Sequence, residues 1–280
     1  MFKAVASING KLMPPDRAKI SAFDNSLLYA EGLFETFLGV GDRVAFANEH
    51  LDRLHRGAKV IGLKIPSSRA QIERWMRSAL KAHPAYIKQL RLTVTAGESA
   101  RWRGKAGKPQ VVILVGPHQL PTHPSRLMVS PFRVDQESVF RRIKTISYAI
   151  QAAALKIARQ KGFDDALMLN EKGYVAEISS ANIFWVRKGV VYTPPIDAGC
   201  LEGTTREVML RETRRLKLKL VEKQVTVPQL MTADEIFISS STRLVIAVSE
   251  IADKKKHTFE PGSITERYRT HFLKLVGLAG

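Results

Sequence analysis

The most informative part of the chain consists of three segments: Lys144-Thr-Ile-Ser-Tyr148, Glu177-Ile-Ser-Ser-Ala-Asn182-Ile-Phe and Leu201-Glu-Gly203-Thr-Thr205-Arg206. The Lys144 amine can act as a nucleophile, and Glu177 is a candidate buried carboxylate. Backbone N–H groups in the Gly203-Thr-Thr turn can bind an anion such as phosphate. A lysine, an acid and an anion-binding turn within one run predict a site that holds a phosphorylated group.

Length and composition indicate a globular protein with two modest domains. The chain has 280 residues, of which 45% are hydrophobic, and this is enough for two apolar cores. No run approaches about 18 consecutive apolar residues, and the N-terminal strand reaches Asn9-Gly10 too soon for a signal peptide. The single cysteine, Cys200, excludes an internal disulfide framework and a multi-cysteine metal site. We therefore expect a cytoplasmic protein with no membrane span and no metal.

The charge of the chain is strongly positive but scattered. Forty-four Lys and Arg residues against 26 Asp and Glu residues give a formal net charge of +18, which attracts anions. The basic clusters at 214–219 and 254–256 are typical of solvated surfaces, because no zinc-finger spacing and no aromatic-rich RNA-binding pattern lies beside them. The charge therefore favours a small anionic substrate over specific nucleic-acid recognition.

In the N-terminal half, short strands alternate with helices. Apolar residues at helical spacing predict one helix with Asn48 as its N-cap and a second helix after Ser67-Ser68. The β-branched runs at 88–95 and 111–115 predict two paired strands.

The clearest boundary is the proline-rich run Pro117-His-Gln-Leu-Pro121-Thr-His-Pro124, which disfavours both a helix and a central strand. We predict a small N-terminal domain at 1–117, a linker at 118–125 and a large C-terminal domain at 126–280. In the second domain, strands are predicted at 127–134, 165–169, 181–186, 190–192 and 235–239, and helices at 145–161, 204–216 and 227–231. Strands mixed with helices without strict βαβ order predict an α+β fold.

Several motifs together resemble the class IV, or fold type IV, pyridoxal-phosphate enzymes. Besides the three segments above, they are Asp24-Asn-Ser-Leu-Leu-Tyr29-Ala-Glu31-Gly32-Leu-Phe34-Glu35-Thr36, Glu49-His50-Leu-Asp-Arg53-Leu, Gly162-Phe-Asp-Asp165-Ala-Leu-Met-Leu-Asn, Tyr192-Thr-Pro-Pro and Ala233-Asp-Glu-Ile-Phe-Ile-Ser-Ser240-Ser241-Thr. The family contains branched-chain and D-amino-acid aminotransferases and 4-amino-4-deoxychorismate lyase. The resemblance covers about residues 1 to 252. It implies a two-domain α+β fold with a smaller N-terminal α/β domain and a larger C-terminal domain with a β-barrel-like core.

The resemblance implies pyridoxal 5'-phosphate as the cofactor and gives individual residues a role. Lys144 would bond to the cofactor aldehyde and move protons at the substrate Cα, which requires a neutral amine. Glu177 would pair with the pyridine nitrogen and keep it protonated. Arg53 would grip the phosphate with two charge-assisted hydrogen bonds.

The remaining cofactor contacts would surround the phosphate and the ring. The backbone of Thr204 and Thr205 and the hydroxyls of Thr205 and Ser241 would complete a phosphate cup at a helix N-terminus. Leu201 would pack on the ring face, and Tyr148 would approach the ring oxygen. The full predicted cofactor set is Arg53, Lys144, Tyr148, Glu177, Asn182, Leu201, Gly203, Thr204, Thr205, Ser240 and Ser241.

Substrate contacts are predicted at Phe34, Arg91 and Arg101. Branched-chain enzymes of the family usually carry Tyr-x-Arg on the first β-run of the smaller domain, where this chain has Tyr86-Ile-Lys88 and then Arg91. The D-amino-acid enzymes and the lyases share the spacing of Gly97-Glu-Ser-Ala-Arg101, so Arg101 is a candidate for binding a substrate carboxylate.

Two further likenesses favour the lyase. They are Gly32-Leu-Phe-Glu-Thr36, and Ala181-Asn-Ile-Phe-Trp185 followed by Gly189-Val-Val-Tyr-Thr-Pro194. We expect a 4-amino-4-deoxychorismate lyase that eliminates pyruvate and leaves 4-aminobenzoate. An aminotransferase of D-amino or branched-chain amino acids is the alternative, because the same residues serve both reactions. A non-catalytic, basic RNA-associated protein is a third, and the presence of both Lys144 and Glu177 disfavours it. The family also implies a homodimer.

Overall fold

The computed structural model describes residues 4–99 and 107–279 and divides into two compact units. The first comprises Met1–Leu120 and Ile143–Ser147, and the second comprises Pro121–Arg142 and Tyr148–Gly280. The predicted second domain ran without interruption from 126 to 280. The structure shows instead that the chain returns to the first unit for a short segment that contains Lys144.

The first unit contains a six-stranded antiparallel sheet. Its strands are β1 (Val5–Ile8), β2 (Lys11–Met13), β3 (Gly32–Val40), β4 (Arg43–Val44), β5 (Ile87–Thr95) and β6 (Val111–Pro117). They lie in the order β2-β1-β6-β5-β3-β4. The two strands predicted at 88–95 and 111–115 are confirmed, because β5 and β6 pair with Leu92 opposite Ile113.

The described residues of the first unit also form three α-helices and one short 3-10 helix. They are α1 (Asn25–Tyr29), α2 (Ala47–Val60), α3 (Arg69–Ala82) and the 3-10 turn Pro15–Arg17. The helix predicted after Ser67-Ser68 is confirmed, and the Ser68 hydroxyl caps it by accepting from Gln71 N at 3.3 Å. The N-cap predicted at Asn48 is wrong. Phe46 occupies that position with a left-handed φ of 53°, and the Asn48 side chain accepts a hydrogen bond from Arg69 instead.

The core of the first unit lies between this sheet and helices α2 and α3. Leu51 and Leu54 of α2 and Met76 and Leu80 of α3 are buried in one cluster with Phe37 of β3. Burying one such side chain contributes about 2 kcal/mol. This packing fixes α2 over β3, the two elements that carry part of the site described below.

The second unit contains a nine-stranded mixed sheet. Its strands are β7 (Ser125–Val134), β8 (Asp165–Asn170), β9 (Val175–Ile178), β10 (Asn182–Arg187), β11 (Val190–Thr193), β12 (Lys219–Glu222), β13 (Glu235–Ser240), β14 (Leu244–Ala252) and β15 (Lys256–Thr258). The order is β12-β11-β10-β13-β14-β7-β8-β9, and β15 pairs with β14. Parallel pairing joins β11 to β12, β14 to β7 and β7 to β8, while the other pairs are antiparallel.

Helices α4 (Ala149–Gln160), α5 (Thr204–Arg215), α6 (Val227–Leu230) and α7 (Ser263–Leu275) belong to the second unit, with 3-10 turns at Val139–Arg141 and Ile196–Ala198. The α+β fold class is confirmed. The helix predicted at 145–161 begins only at Ala149, because residues 144–146 pair with β3. Strands β9, β12, β14 and β15 and helix α7 were not predicted. Among the described residues, no helix combines the length and apolar character that crossing a membrane requires.

Candidate active site

Lys144 lies on a short extended segment that pairs with the start of β3. Phe34 N donates to the Lys144 carbonyl at 2.9 Å, and Ile146 N donates to the Gly32 carbonyl at 3.1 Å. Gly32 has no room for a side chain, because an added Cβ would lie 2.8 Å from the Val94 carbonyl oxygen. The backbone of Lys144 is therefore fixed beside Phe34.

Phe34 brings two cationic side chains together. The Arg91 guanidinium carbon lies 3.8 Å from the centre of the Phe34 ring, and Lys144 Nζ lies 4.6 Å from the same centre. Both contacts are within cation–π range, and the Phe34 side chain is buried. Three residues predicted for chemistry or substrate binding thus form one cluster in the first unit. The predicted Arg101 lies outside the described residues.

Arg53 extends from α2 into a buried cluster with Glu35 and His50. Its Nε and Nη2 donate to the two Glu35 oxygens at 2.8 and 2.6 Å, and His50 Nδ1 lies 2.6 Å from Glu35 Oε2. Burial by itself raises the pKa of Glu35, but Arg53 and His50 outweigh burial and hold this pKa at about 2. Glu35 is therefore a carboxylate and Arg53 has a fixed partner, which the sequence did not predict.

Glu177 lies on β9 and is buried, as expected for an acid that pairs with a cofactor ring. Its Oε1 accepts a short hydrogen bond from Arg141 Nη2, and its Oε2 accepts from Leu201 N at 3.0 Å. Arg141 Nε also donates to the Gly199 carbonyl at 3.0 Å. The sequence prediction missed Arg141. No local signal identified it, because Arg141 and Glu177 are distant in sequence and only the fold brings them together.

The N-terminus of α5 has the features of an anion site. Gly203 is the N-cap and provides no side-chain cap, so the first N–H groups of the helix have no partner inside it. The buried Thr205 hydroxyl has no hydrogen-bond partner, and Thr204 Oγ1 lies 3.4 Å from Ser241 Oγ. These donors suit a phosphate group, which binds to helix N-termini through backbone N–H groups and hydroxyls.

Asn182 and Gly203 shape the loop before this helix. Asn182 Nδ2 donates to the Leu201 carbonyl at 3.0 Å. A Cβ at position 203 would lie 1.9 Å from Asn182 Oδ1, so any larger residue there would displace the Asn182 side chain. Ser240, also predicted to contact the cofactor, has its hydroxyl 3.4 Å from Arg243 N, which donates to it.

Tyr148 lies in the second unit near two carboxylates, Glu177 and Asp165. Its hydroxyl donates to the Ser179 carbonyl at 2.5 Å. Burial raises the pKa of Tyr148, and the nearby carboxylates Glu177 and Asp165 raise it further. Asp165 is itself paired with Arg243 at 2.9 Å. Tyr148 is therefore neutral at physiological pH, and its hydroxyl proton is directed to the Ser179 carbonyl.

Comparison with known proteins identifies the family. The profile of the amino-transferase class IV family matches residues 32–251. The chain therefore belongs to the class IV aminotransferases. The resemblance inferred from the sequence is confirmed, and so is pyridoxal phosphate, the cofactor of the family. The unpartnered Thr205 hydroxyl, the uncapped α5 N-terminus and the buried Glu177 fit this group.

Individual relatives differ in their named reactions. A putative branched-chain-amino-acid aminotransferase of Methanocaldococcus jannaschii is 31% identical over 95% of this chain and 94% of its own. The aminodeoxychorismate lyase of Bacillus subtilis is 29% identical over 88% of this chain and 86% of its own. The branched-chain aminotransferase of Thermoproteus uzoniensis, solved with norvaline, superposes with a TM-score of 0.90 at 28% identity, over 98% and 95% of the two chains. The fold type IV architecture is thereby confirmed, but the lyase reaction expected from the sequence is not favoured over transamination.

Proposed function

We propose that this class IV enzyme is a transaminase of an α-amino acid with an apolar side chain. The observation that carries the proposal is the cluster in which Arg91 and Lys144 lie 3.8 and 4.6 Å from the centre of the Phe34 ring. A guanidinium can bind the α-carboxylate of an amino acid in a bidentate manner. The Phe34 ring offers an apolar surface beside the amine.

The residues of the candidate site each have a defined part in such a reaction. Arg91 orients the substrate through its carboxylate, and Lys144 removes the Cα proton and returns it at another atom. The family resemblance gives Arg53 and the α5 N-terminus the role of phosphate ligands, and Glu177 would keep a proton on the ring nitrogen of the cofactor. Bound pyridoxal phosphate supplies the electron sink that makes the Cα proton acidic.

Two observations support transamination over elimination. Most of the relatives are named branched-chain-amino-acid aminotransferases. In addition, Arg91 and Lys144 both lie against the apolar Phe34 ring. A carboxylate-binding cation beside an apolar surface suits an amino acid with an apolar side chain better than the dicarboxylate aminodeoxychorismate.

Aminodeoxychorismate lyase is the second candidate. The Bacillus subtilis lyase matches this chain at an identity close to that of the Methanocaldococcus relative. Its substrate would lose pyruvate as the carbocycle becomes aromatic. The Arg91 and Lys144 cluster serves this reaction as well, since both reactions begin with removal of the Cα proton.

One experiment separates the two reactions. Purified enzyme loaded with pyridoxal phosphate is incubated with aminodeoxychorismate in one tube, and with L-leucine, D-alanine or L-glutamate plus a keto acid in others. We expect keto-acid exchange in at least one amino-acid tube and neither pyruvate nor 4-aminobenzoate in the first. Formation of both products in the first tube, without exchange in the others, would establish the lyase.

The role of Lys144 is tested with a matched surface variant. We expect Lys144→Ala to remove the visible absorbance band of the bound cofactor and all turnover. Lys156→Ala is the control, because Lys156 is an exposed lysine of α4. Full activity in Lys144→Ala would refute the assignment of the nucleophile.

The homodimer and an anionic substrate are part of the same proposal. The family resemblance implies the homodimer, and Phe23 and Leu27, which expose 59% and 69% of their surface, are candidates for its interface. Sedimentation equilibrium of the loaded enzyme is expected to give twice the chain mass. A fully active monomer would contradict the proposed homodimer but not the proposed reaction.

A further inference from the structure

Arg53 is held in one orientation by a carboxylate that is completely buried. The two hydrogen bonds from Nε and Nη2 reach separate oxygens of Glu35, at 2.8 and 2.6 Å. Because the guanidinium is planar and its N–H donors have a fixed geometry, this two-point contact sets the direction of every other N–H group of Arg53.

His50 prevents the carboxylate from turning. Its Nδ1 lies 2.6 Å from Glu35 Oε2, and neither side chain is exposed. The imidazole also packs on Phe37, with ring centres 4.4 Å apart. Both oxygens of Glu35 are thus engaged, and one of them receives two donors. Glu35 can rotate only if the contacts from α2 are broken.

This cluster lies within electrostatic reach of the catalytic amine. Burial lowers the pKa of His50, Glu35 opposes this, and the positive charges of Arg53 and Lys144 lower it further. Phe34 and Glu35 are neighbours on β3 and therefore face opposite sides of the sheet. The strand thus carries the contact to Lys144 and the contact to Arg53 on adjacent residues.

We infer that Glu35, locked by His50, is a positioning residue that aims the Arg53 guanidinium at the 5'-phosphate of the cofactor. The inference rests on the proposed function. A flexible arginine would lose rotamer freedom on binding phosphate, whereas Arg53 has its orientation set before the ligand arrives. The rival role is a plain buried ion pair that stabilises α2 on β3 and has no effect on the phosphate.

Affinities for two forms of the cofactor distinguish these roles. The dissociation constants of pyridoxal phosphate and of pyridoxal, which lacks the phosphate, are measured by equilibrium dialysis for the wild type, Arg53→Gln, Glu35→Gln and the double variant. We expect Arg53→Gln and Glu35→Gln each to weaken pyridoxal phosphate by about tenfold or more, the size of a lost charge-assisted hydrogen bond. Pyridoxal should change by less than about twofold in each.

The double variant provides a readout that a merely structural role would not give. If Glu35 acts through Arg53, the two substitutions are not additive, and the double variant binds pyridoxal phosphate no more weakly than Arg53→Gln. Equal losses for both ligands would assign Glu35 to stability alone, whereas additive losses of pyridoxal phosphate affinity would show that Glu35 does not act through Arg53. Either result would overturn the inference.

Two further variants keep the test decisive. Lys88→Met is the matched control, because the buried Lys88 amine donates to the carbonyls of Gly41 and Leu80 at 2.8 Å rather than to the Glu35 carboxylate. It should destabilise the first unit without changing the ratio of the two affinities. If Glu35→Gln does not fold, His50→Phe keeps the aromatic contact but removes the donor to Glu35, and it should weaken pyridoxal phosphate selectively.

The outcomes separate the inference from the proposed function. Failure of the wild type to bind pyridoxal phosphate would remove the proposed function and the inference with it. Binding by the wild type with no selective loss in Arg53→Gln would overturn the role of Arg53 and the inference, but it would leave the enzyme assignment intact. Selective loss in Arg53→Gln without selective loss in Glu35→Gln and His50→Phe would overturn the inference alone.

Discussion

Arg141 holds the carboxylate of Glu177 with Nη2 while its Nε bonds the Gly199 carbonyl. The two side chains expose only 14% and 8% of their surface. The acid on β9 is thus joined to the 3-10 turn at Val139–Arg141 and to the loop that continues to Leu201. Glu177 has one fixed plane in which to meet a ring nitrogen.

Removing Arg141 is expected to leave a buried carboxylate without its cation. Arg141→Met retains most of the side-chain volume and should lower the free energy of unfolding by about 3 kcal/mol. Urea titrations at neutral pH measure this loss. Glu177→Gln in the same background should recover part of it, because the unpaired charge is then gone. Strictly additive losses would show that the two residues do not interact.

Gly203→Ala is expected to damage the anion site before α5. The new Cβ would lie 1.9 Å from Asn182 Oδ1, so Asn182 and its bond to Leu201 must shift. We expect the dissociation constant of pyridoxal phosphate to rise about tenfold or more. Gly116→Ala is the control, since nothing lies within 4 Å of its Cβ position. Equal effects of the two variants would contradict this account.

Local sequence patterns were sufficient where the determining contacts are local. The alternation in 88–95 and 111–115 corresponds to β5 and β6, and Ser68 caps α3 through its own Gln71 N–H. The polar and glycine residues of 201–206 also lie at the start of a helix, as predicted. In each case the atoms that fix the structure lie within a few residues or follow the two-residue period of a strand.

The failures involve partners that are distant in sequence. Lys144 was placed at the start of a helix, but the carbonyl of Lys144 pairs with Phe34 N across more than a hundred residues of chain. Helical propensity after Ala149 could not reveal this pairing. Arg141 was missed for the same reason, since only the fold brings it to Glu177. The prediction of Lys144 itself came from family motifs and did not depend on the helix.

Acid is expected to destabilise the first unit in two steps. Burial lowers the pKa of His50 below its usual 6.5. As the pH drops below 6.5, the imidazole of His50 therefore binds a proton in the unfolded chain before it does so in the folded chain. The free energy of unfolding begins to fall in this range. Arg53 and His50 overcome burial to hold the pKa of Glu35 at about 2, below its usual 4.5. That stabilisation is complete above pH 4.5 and is lost as the pH falls through 2.

Unfolding free energies measured from pH 7 to pH 3 test these two steps. His50→Asn has no imidazole to protonate, so its stability should change less than that of the wild type between pH 6.5 and 4.5. An identical slope in both proteins over that range would show that His50 does not contribute.

Glu235 is expected to anchor the helix that the sequence did not reveal. Its carboxylate accepts from Thr265 N at 2.8 Å, from Thr265 Oγ1 at 2.7 Å and from Ile264 N at 3.2 Å, and so caps α7 from β13. Glu235→Ala should cost about 1 to 2 kcal/mol, as for the loss of a helix cap. Amide exchange in 263–268 should accelerate. Unchanged exchange would show that α7 is held by its apolar face alone.

Cys200 is expected to be chemically inert in the folded enzyme. Burial raises the pKa of its thiol to about 12, Glu177 raises it as well, and the sulfur lies 3.5 Å from the Pro195 carbonyl. Since only the thiolate attacks disulfide reagents, the native protein should not react at pH 8, while the urea-unfolded chain should react at its single cysteine. Cys200→Ala should retain turnover, because the mechanism uses no thiol. Rapid labelling of the native protein, together with loss of turnover on labelling, would place a reactive thiol in the site and contradict the burial on which this prediction rests.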